Sequence, residues 1–287
     1  MIFKGKIMKI GIVSTAYLLR YGTKEGAKKM KLHGYDCVDF QGFVNTETEF
    51  FKLGEDAFIK ALKKKRQVVE EQGVEFFQTH APWRYPPKDF TEEERAERLS
   101  AMKKAILGTY HLGAKHFVVH PLMPYGDWSC ENAESVREIN VDFFKKLCEY
   151  AKGYGVTVCL ENMPFLNFPI SSVEQCIDFV KTVGEDNLKI CLDTGHDLIW
   201  GNQPADSVRK LGGLLACIHA HDNDGKSDSH TLPFKGVCDW KEFVKALKEV
   251  DYQGVFSLET HVSDCPTKVL QGRREYNLIK SVKEILE

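Results

Sequence analysis

Eight times along the chain a short apolar, β-rich run gives way to a longer amphipathic segment, and this rhythm constrains the fold more than any other feature. The runs predict strands at 9–13, 35–40, 74–80, 116–120, 156–161, 188–193, 215–221 and 254–259. Helical spacing of apolar residues, such as Phe58, Leu62 and Val69 or Ile139, Phe143, Leu147 and Tyr150, predicts helices between them. These lie at 23–31, 56–72, 91–112, 131–154, 204–211, 239–250 and 267–286, with one more opening at Ser171, where Glu174 three residues on makes a capping-box pattern. Strands that are near-continuously apolar are those buried on both faces, as in parallel sheets, and βα alternation favours right-handed crossovers. Eight such units predict a single (β/α)8 TIM barrel, α/β in class, spanning residues 1–287. A doubly wound sheet would need a glycine-rich phosphate loop after the first strand, where the sequence reads Ser14-Thr15-Ala16-Tyr17.

Composition narrows the partners. With 39 Lys and Arg against 41 Asp and Glu, the chain has no basic field, so nucleic acid is not the expected partner. Nine cysteines occur without a CxxC pair, and Cys159, Cys191 and Cys217 sit inside apolar runs. Thiols so placed read as small core residues in a reducing, cytoplasmic setting. The start has no long apolar run before a cleavage site, and no stretch approaches a membrane span, so no membrane partner is expected.

The chemistry is written at the strand ends. Strand three ends in His80, four in His120, five in Glu161, six in Asp193 with His196 three residues on, seven in His219 and His221, and eight in Glu259. In a barrel these ends converge on one mouth, where active sites lie. Singly, each has an ordinary structural reading: a hydrogen-bonded histidine, a salt-bridged Glu161, an Asp193 that caps the next helix. Together, buried imidazoles and carboxylates are best satisfied by a cation. The mixed set suits zinc, manganese, iron or cobalt better than magnesium. His219 and His221 flank Ala220 and point to the same side, one as ligand and the other as substrate contact. Asp228 and His230 follow in a polar loop. Trp83, Tyr85, Trp128 and Trp200 are placed to wall a pocket or stack on a sugar face.

The segments LEN at strand five, LDTGH at strand six and HAHDNDGKSDSHTLPFKGVCDW after strand seven make the sequence resemble the xylose-isomerase-like barrel superfamily over nearly its whole length. That superfamily covers sugar and sugar-phosphate isomerases and epimerases, inosose dehydratase-type lyases and endonuclease IV. The resemblance to the epimerase branch implies one divalent metal on Glu161, Asp193, His219 and Glu259. It also implies that Glu161 and Glu259 act as the acid–base pair and that His196 contacts substrate; His120, His221 and Trp83, at the same mouth, are further substrate-binding candidates on the reading of the residues themselves. The resemblance to endonuclease IV implies a larger ligand set that adds His80, His120, His196, Asp228 and His230. The expected cofactor is therefore Mn, Zn or Co, one ion favoured and up to three accommodated. Unlike ketohexose 3-epimerases, the chain carries no arginine shortly after the strand-seven histidine. The loop after strand three, with Arg84, is the basic feature closest to a nuclease's DNA-binding loops. The favoured expectation is an isomerase or epimerase of a sugar or sugar phosphate, working by proton transfer through an enediolate. The alternatives are an endonuclease IV-type zinc phosphodiesterase on abasic DNA, an inosose dehydratase-like or glycoside lyase, and a sugar-binding barrel with a partner subunit. Barrels of this kind also pair into homo-oligomers.

Overall fold

The computed structural model describes residues 8–83, 86–126, 132–260 and 268–286, with the side chains of 268–271 set aside. Eight parallel strands, β1 Ile10–Val13, β2 Cys37–Phe40, β3 Glu75–His80, β4 His116–Val119, β5 Thr157–Glu161, β6 Leu188–Asp193, β7 Leu215–His219 and β8 Phe256–Leu258, hydrogen-bond in the order β7-β6-β5-β4-β3-β2-β1-β8. The ring closes where Ala220 bridges Leu258: Ala220 N donates to Ser257 O at 2.7 Å and Glu259 N to Ala220 O at 3.2 Å. The helices are α1 Thr23–His33, α2 Glu55–Glu70, α3 Glu92–Leu112, α4 Ala133–Lys152, α5 Val173–Val183, α6 Pro204–Leu211, α7 Trp240–Glu249 and α8 Lys268–Leu286. The expected (β/α)8 barrel is what forms.

The strands hold because each presents one face to the helices and one to the barrel axis. Outward residues such as Phe117, Leu160, Ile190 and Leu192 are fully buried in one core with Phe144 and Phe179 of the helices. Inward, the same period of two puts Cys159 under Glu161, Cys191 under Asp193 and Cys217 under His219. These thiols and Val118 form a small apolar cluster below the strand ends. Burial pushes all three thiols well above their ordinary value, which keeps them un-ionised. All seven described cysteines are free. Among the described residues no helix is long and apolar enough to cross a membrane.

Caps fix where helices begin. At α3, Thr91 Oγ1 accepts from Glu94 N and Glu94 Oε2 from Thr91 N, a closed capping box. At α5 the box is Ser172 with Gln175, one residue later than the expected Ser171 with Glu174. The Ser171 hydroxyl is engaged elsewhere, donating to Met163 O at 2.9 Å. Short helices at Leu18–Tyr21, Glu49–Lys52 and Thr194–Ile199 were not expected. The last matters for the site, because Asp193 is its N-cap and accepts from His196 N at 2.7 Å.

Candidate metal centre

The strand ends bring the expected side chains together in three groups, two of them sharing Glu161, and within each group the donor atoms lie within 4.8 Å of one another. In the first, Glu161, Asp193, His219 and Glu259 converge: His219 Nδ1 lies 2.9 Å from Glu161 Oε1 and 3.0 Å from Glu259 Oε2. In the second, Glu161 turns its other oxygen outward: Oε2 is 2.9 Å from His120 Nε2 and 3.5 Å from His80 Nε2. In the third, Asp228 Oδ2 stands 3.3 Å from His196 Nε2 and 3.4 Å from His230 Nε2, with His221 alongside. All of Glu161, Asp193, His80, His196, His219 and His221 are buried. Among the described residues, no Lys or Arg forms an ion pair with Glu161, Asp193, Asp228 or Glu259.

For three of the rings a hydrogen bond on the outer side decides which nitrogen faces the centre. His80 Nδ1 donates to Ala81 O at 2.9 Å, His196 Nδ1 to Asn162 O at 2.8 Å and His230 Nδ1 to Glu259 O at 2.9 Å. A carbonyl only accepts, so these nitrogens carry the proton and Nε2 is left as the inward donor atom. Committing one ring nitrogen to a carbonyl or carboxylate is how metal-binding imidazoles are oriented. The facing Nε2 atoms of His80 and His120 stand only 3.2 Å apart, a pairing that needs a proton or cation between them. Donor chemistry and geometry therefore fit a divalent metal with nitrogen and oxygen ligands.

Electrostatics agree. Burial pushes the Glu161 and Glu259 carboxyls up, but the imidazoles around them, His219 foremost, reverse this and hold both well below the usual range. Burial pulls His219 down, and Glu259 and Glu161 more than offset it, so its value ends well above normal. His196 rises to about 10, Asp193 and Asp228 outweighing its burial. His230 rises to about 9, where burial is outweighed by the bond to Asp228 and the charges of Glu259, Asp228 and Asp193 together. Positive charge is favoured at His219, His196 and His230, as protons on imidazole or as a metal, whereas burial holds His120 below its ordinary value.

Three neighbours build the site without joining a group. Asn162, the last letter of LEN, clamps the end of β5 to β6: its Oδ1 accepts from Asp193 N at 2.7 Å and its Nδ2 donates to Asp193 O at 3.0 Å. Asp222 anchors the loop that carries Asp228 and His230. Its Oδ2 accepts Trp240 Nε1 at 2.9 Å, and Oδ1 accepts Asn223 N and Cys238 N at 3.0 and 3.2 Å. Asp39, inward on β2, places Oδ2 3.0 Å from His219 Nε2. The sequence reading passed over all three.

Above the donors opens a cavity of about 720 Å³. Its polar side is formed by His80, His120, Glu161, His196, Asp228, His230 and Glu259 together with Gln41, Asn167 and Lys226, and its apolar side includes Val44, Trp83, Met163, Phe165, Leu166 and Ile199. Trp83 meets His120 edge-on at 4.4 Å. His221 lies beneath the cavity lining, with Nε2 2.9 Å from Asp193 Oδ1 and its ring stacked 4.0 Å from His230. Trp200 also stays outside the lining, its indole N–H bonded to Met163 O at 2.9 Å, so it fastens one loop to another. Arg84, Tyr85 and Trp128 lie outside the described residues.

Comparison with known proteins agrees with this architecture. A family model of the xylose isomerase-like TIM barrel matches residues 27–283. An uncharacterized protein of Methanocaldococcus jannaschii is 30% identical over 257 residues, covering 88% of this chain and 83% of its own length. D-psicose 3-epimerase of Enterocloster bolteae is 26% identical over 265 residues, 89% of this chain and 83% of that protein. Among solved structures, a D-tagatose 3-epimerase-like protein superimposes with a TM-score of 0.76 at 26% identity, covering 97% of this chain and 98% of the other. The chain belongs to the xylose isomerase-like TIM barrel family.

Proposed function

We propose that this chain is a divalent-metal-dependent epimerase or isomerase of a sugar or sugar phosphate. The observation that carries the reading is the convergence of Glu161, Asp193, His219 and Glu259 directly beneath the cavity, with both glutamates reaching its lining. Relatedness to D-psicose 3-epimerase supports the same class. These four residues would hold one ion, with Mn, Zn or Co suited to the donors. A bound ion supplies Lewis-acid polarisation of a carbonyl and makes the neighbouring C–H more acidic.

The chain's own groups do the rest. Glu161 leaves the end of β5 and Glu259 follows β8, so the two carboxylates approach a bound sugar from different sides of the barrel. One removes the proton from carbon and the other returns it, through an enediolate. Held ionised by their imidazole neighbours, either can act as the base that removes the proton, and the one that returns a proton to carbon first takes one up from a neighbouring protonated imidazole or from solvent. His196, with Nε2 turned to the cavity, is placed to bond a substrate hydroxyl, as is His120, and Trp83 offers an aromatic wall to the sugar face. His221, bonded to Asp193 and outside the lining, serves this reading as a support for a ligand. The free cysteines suit a reducing cytoplasm.

The test is Glu259→Gln, assayed by deuterium uptake from D2O into ketoses and inososes alongside metal content. Metal should be retained and exchange should fall by roughly two or more orders of magnitude, the scale of general acid–base catalysis. Full exchange by the variant would remove Glu259 from the proton path.

The second and third donor groups favour one other reading, a multi-metal phosphodiesterase of the endonuclease IV type. It requires two or three zinc ions per chain and DNA binding that weakens with salt. One ion per chain without DNA affinity leaves the epimerase reading.

A further inference from the structure

Asp39 is a buried acid that the proposed proton transfer does not use. It sits on β2, one residue before the strand end, and is 1% exposed. Its Oδ2 accepts Gln78 Nε2 at 3.0 Å from β3 and lies 3.0 Å from His219 Nε2, on the far side of β1 and β8. Asp39 Oδ1, Gln78 Oε1 and His219 Nε2 are all buried without a hydrogen bond of good alignment. A carboxylate taken out of water with one amide bond is costly unless a charged group compensates it. Among the described residues, His219 is the ion-pair partner it has.

We infer that Asp39, held by Gln78, is the positioning residue of His219: it accepts a hydrogen bond from Nε2–H, keeps the proton on that nitrogen and thereby dedicates Nδ1 to the metal. This rests on the metal reading above. The opposite edge of the same ring points Nδ1 between Glu161 Oε1 and Glu259 Oε2, at 2.9 and 3.0 Å. A neutral imidazole has one proton and one lone pair, so fixing the proton on Nε2 fixes the lone pair on Nδ1. Three of the other inward rings, His80, His196 and His230, obtain the fixing of one nitrogen from backbone carbonyls, at Ala81, Asn162 and Glu259. His219 obtains it from a side chain, and a carboxylate in that place also makes the ligand nitrogen more basic. The oxygen sits off the N–H axis, an alignment of the kind that tightens when a site takes up its ligand.

The experiment uses the full chain with zinc alone as the probe, measuring affinity by competition with a chelator and the ring state by NMR of 15N-labelled histidine, with His219→Gln to assign the signal. In the native chain His219 should bind zinc through Nδ1 and show a slowly exchanging Nε2–H. Asp39→Ala should lose that slow exchange and weaken zinc roughly 10–100-fold. Asp39→Asn, whose amide oxygen still accepts, should recover most of both, a rescue that a merely structural role would not tie to the histidine signal. Zinc bound through Nε2 in the native chain, or an unchanged affinity in Asp39→Ala, overturns the assignment. If Asp39→Ala does not fold, the native spectrum and Asp39→Asn decide it. A native chain that takes up no zinc refutes the metal reading itself, and the native sample alone distinguishes that failure.

Discussion

Gly195, in the LDTGH segment, offers the sharpest test of how tightly the centre is built. A Cβ at this position would fall 1.9 Å from His221 Cε1 and 2.4 Å from Nδ1. Ordinary contact begins near 3.4 Å, so the ring would have to retreat by the difference of 3.4 and 1.9, about 1.5 Å. It has no free room, being fully buried and stacked 4.0 Å from His230. Retreat would break the bond from His221 Nε2 to Asp193 and disturb a proposed ligand. Overpacking and the lost charged hydrogen bond together cost roughly 2–5 kcal/mol. Helix propensity acts the other way, since Ala in Thr194–Ile199 should gain up to about 1 kcal/mol over Gly. We therefore expect Gly195→Ala to lower the melting temperature by roughly 2–8 °C in a thermal scan followed by circular dichroism. Zinc affinity, measured by chelator competition, should drop with it. In a His221→Ala background the same change should cost much less, because the ring that it strikes is gone. An equal cost in both backgrounds, or a Gly195→Ala chain as stable as the native one, would refute the argument that His221 is what excludes a side chain here.

Three more expectations follow from the same geometry. Because burial is outweighed at His219 by the carboxylates around it, which raise it well above its ordinary value, it carries a proton near neutrality that a metal must displace. Metal uptake should thus release protons, and zinc affinity should rise between pH 6 and 8; calorimetry in two buffers of different ionisation enthalpy reads the proton count, and a pH-independent affinity would contradict the assignment. Asp222→Ala strips acceptors from Trp240 Nε1, Asn223 N and Cys238 N and should cost roughly 3 kcal/mol or more in urea unfolding, with Asp222→Asn costing less. A loss below about 0.5 kcal/mol, the range of an ordinary surface change, would show that the loop is anchored elsewhere. Cys159, Cys191 and Cys217 should resist alkylation in the folded chain and react once it is unfolded, and labelling of any of them in the native protein by mass spectrometry would contradict their burial.

The fold was legible because each strand of a parallel barrel is buried on both faces and reads as an unbroken apolar run. Where the reading slipped, a local reason is visible. Strand seven was expected to reach His221 but ends at His219: beyond it Ala220 bridges β8, and Asp222 turns to pair with Thr231 across the loop. The cap of α5 shifted because two serines in a row, Ser171 and Ser172, each have a suitable residue three positions on, and only tertiary structure shows that the first is occupied by Met163 O. The helices at Leu18–Tyr21, Glu49–Lys52 and Thr194–Ile199 span less than two turns, too short for a 3.6-residue period to register.

At the site, a sequence encodes which donors stand at the strand ends, but not which way each donor faces. His219 and His221 were indistinguishable as text, two residues apart on the same side of one strand. Their environments separate them: His219 turns Nδ1 toward two glutamates, while His221 is spent on Asp193 and pressed against the Gly195 backbone. What sets those directions is mostly carbonyl oxygen, at Ala81, Asn162 and Glu259, and a carbonyl belongs to every residue and so leaves no mark in a sequence. Asp39 is the exception, because its orienting group is a side chain. An acid within CVDF, and a glutamine within FFQTH beside it, interrupt runs that should be apolar throughout. A buried polar residue in such a run must be answered by a partner. Read that way, interruptions inside strands point to the groups that aim the ligands, as strand ends point to the ligands themselves.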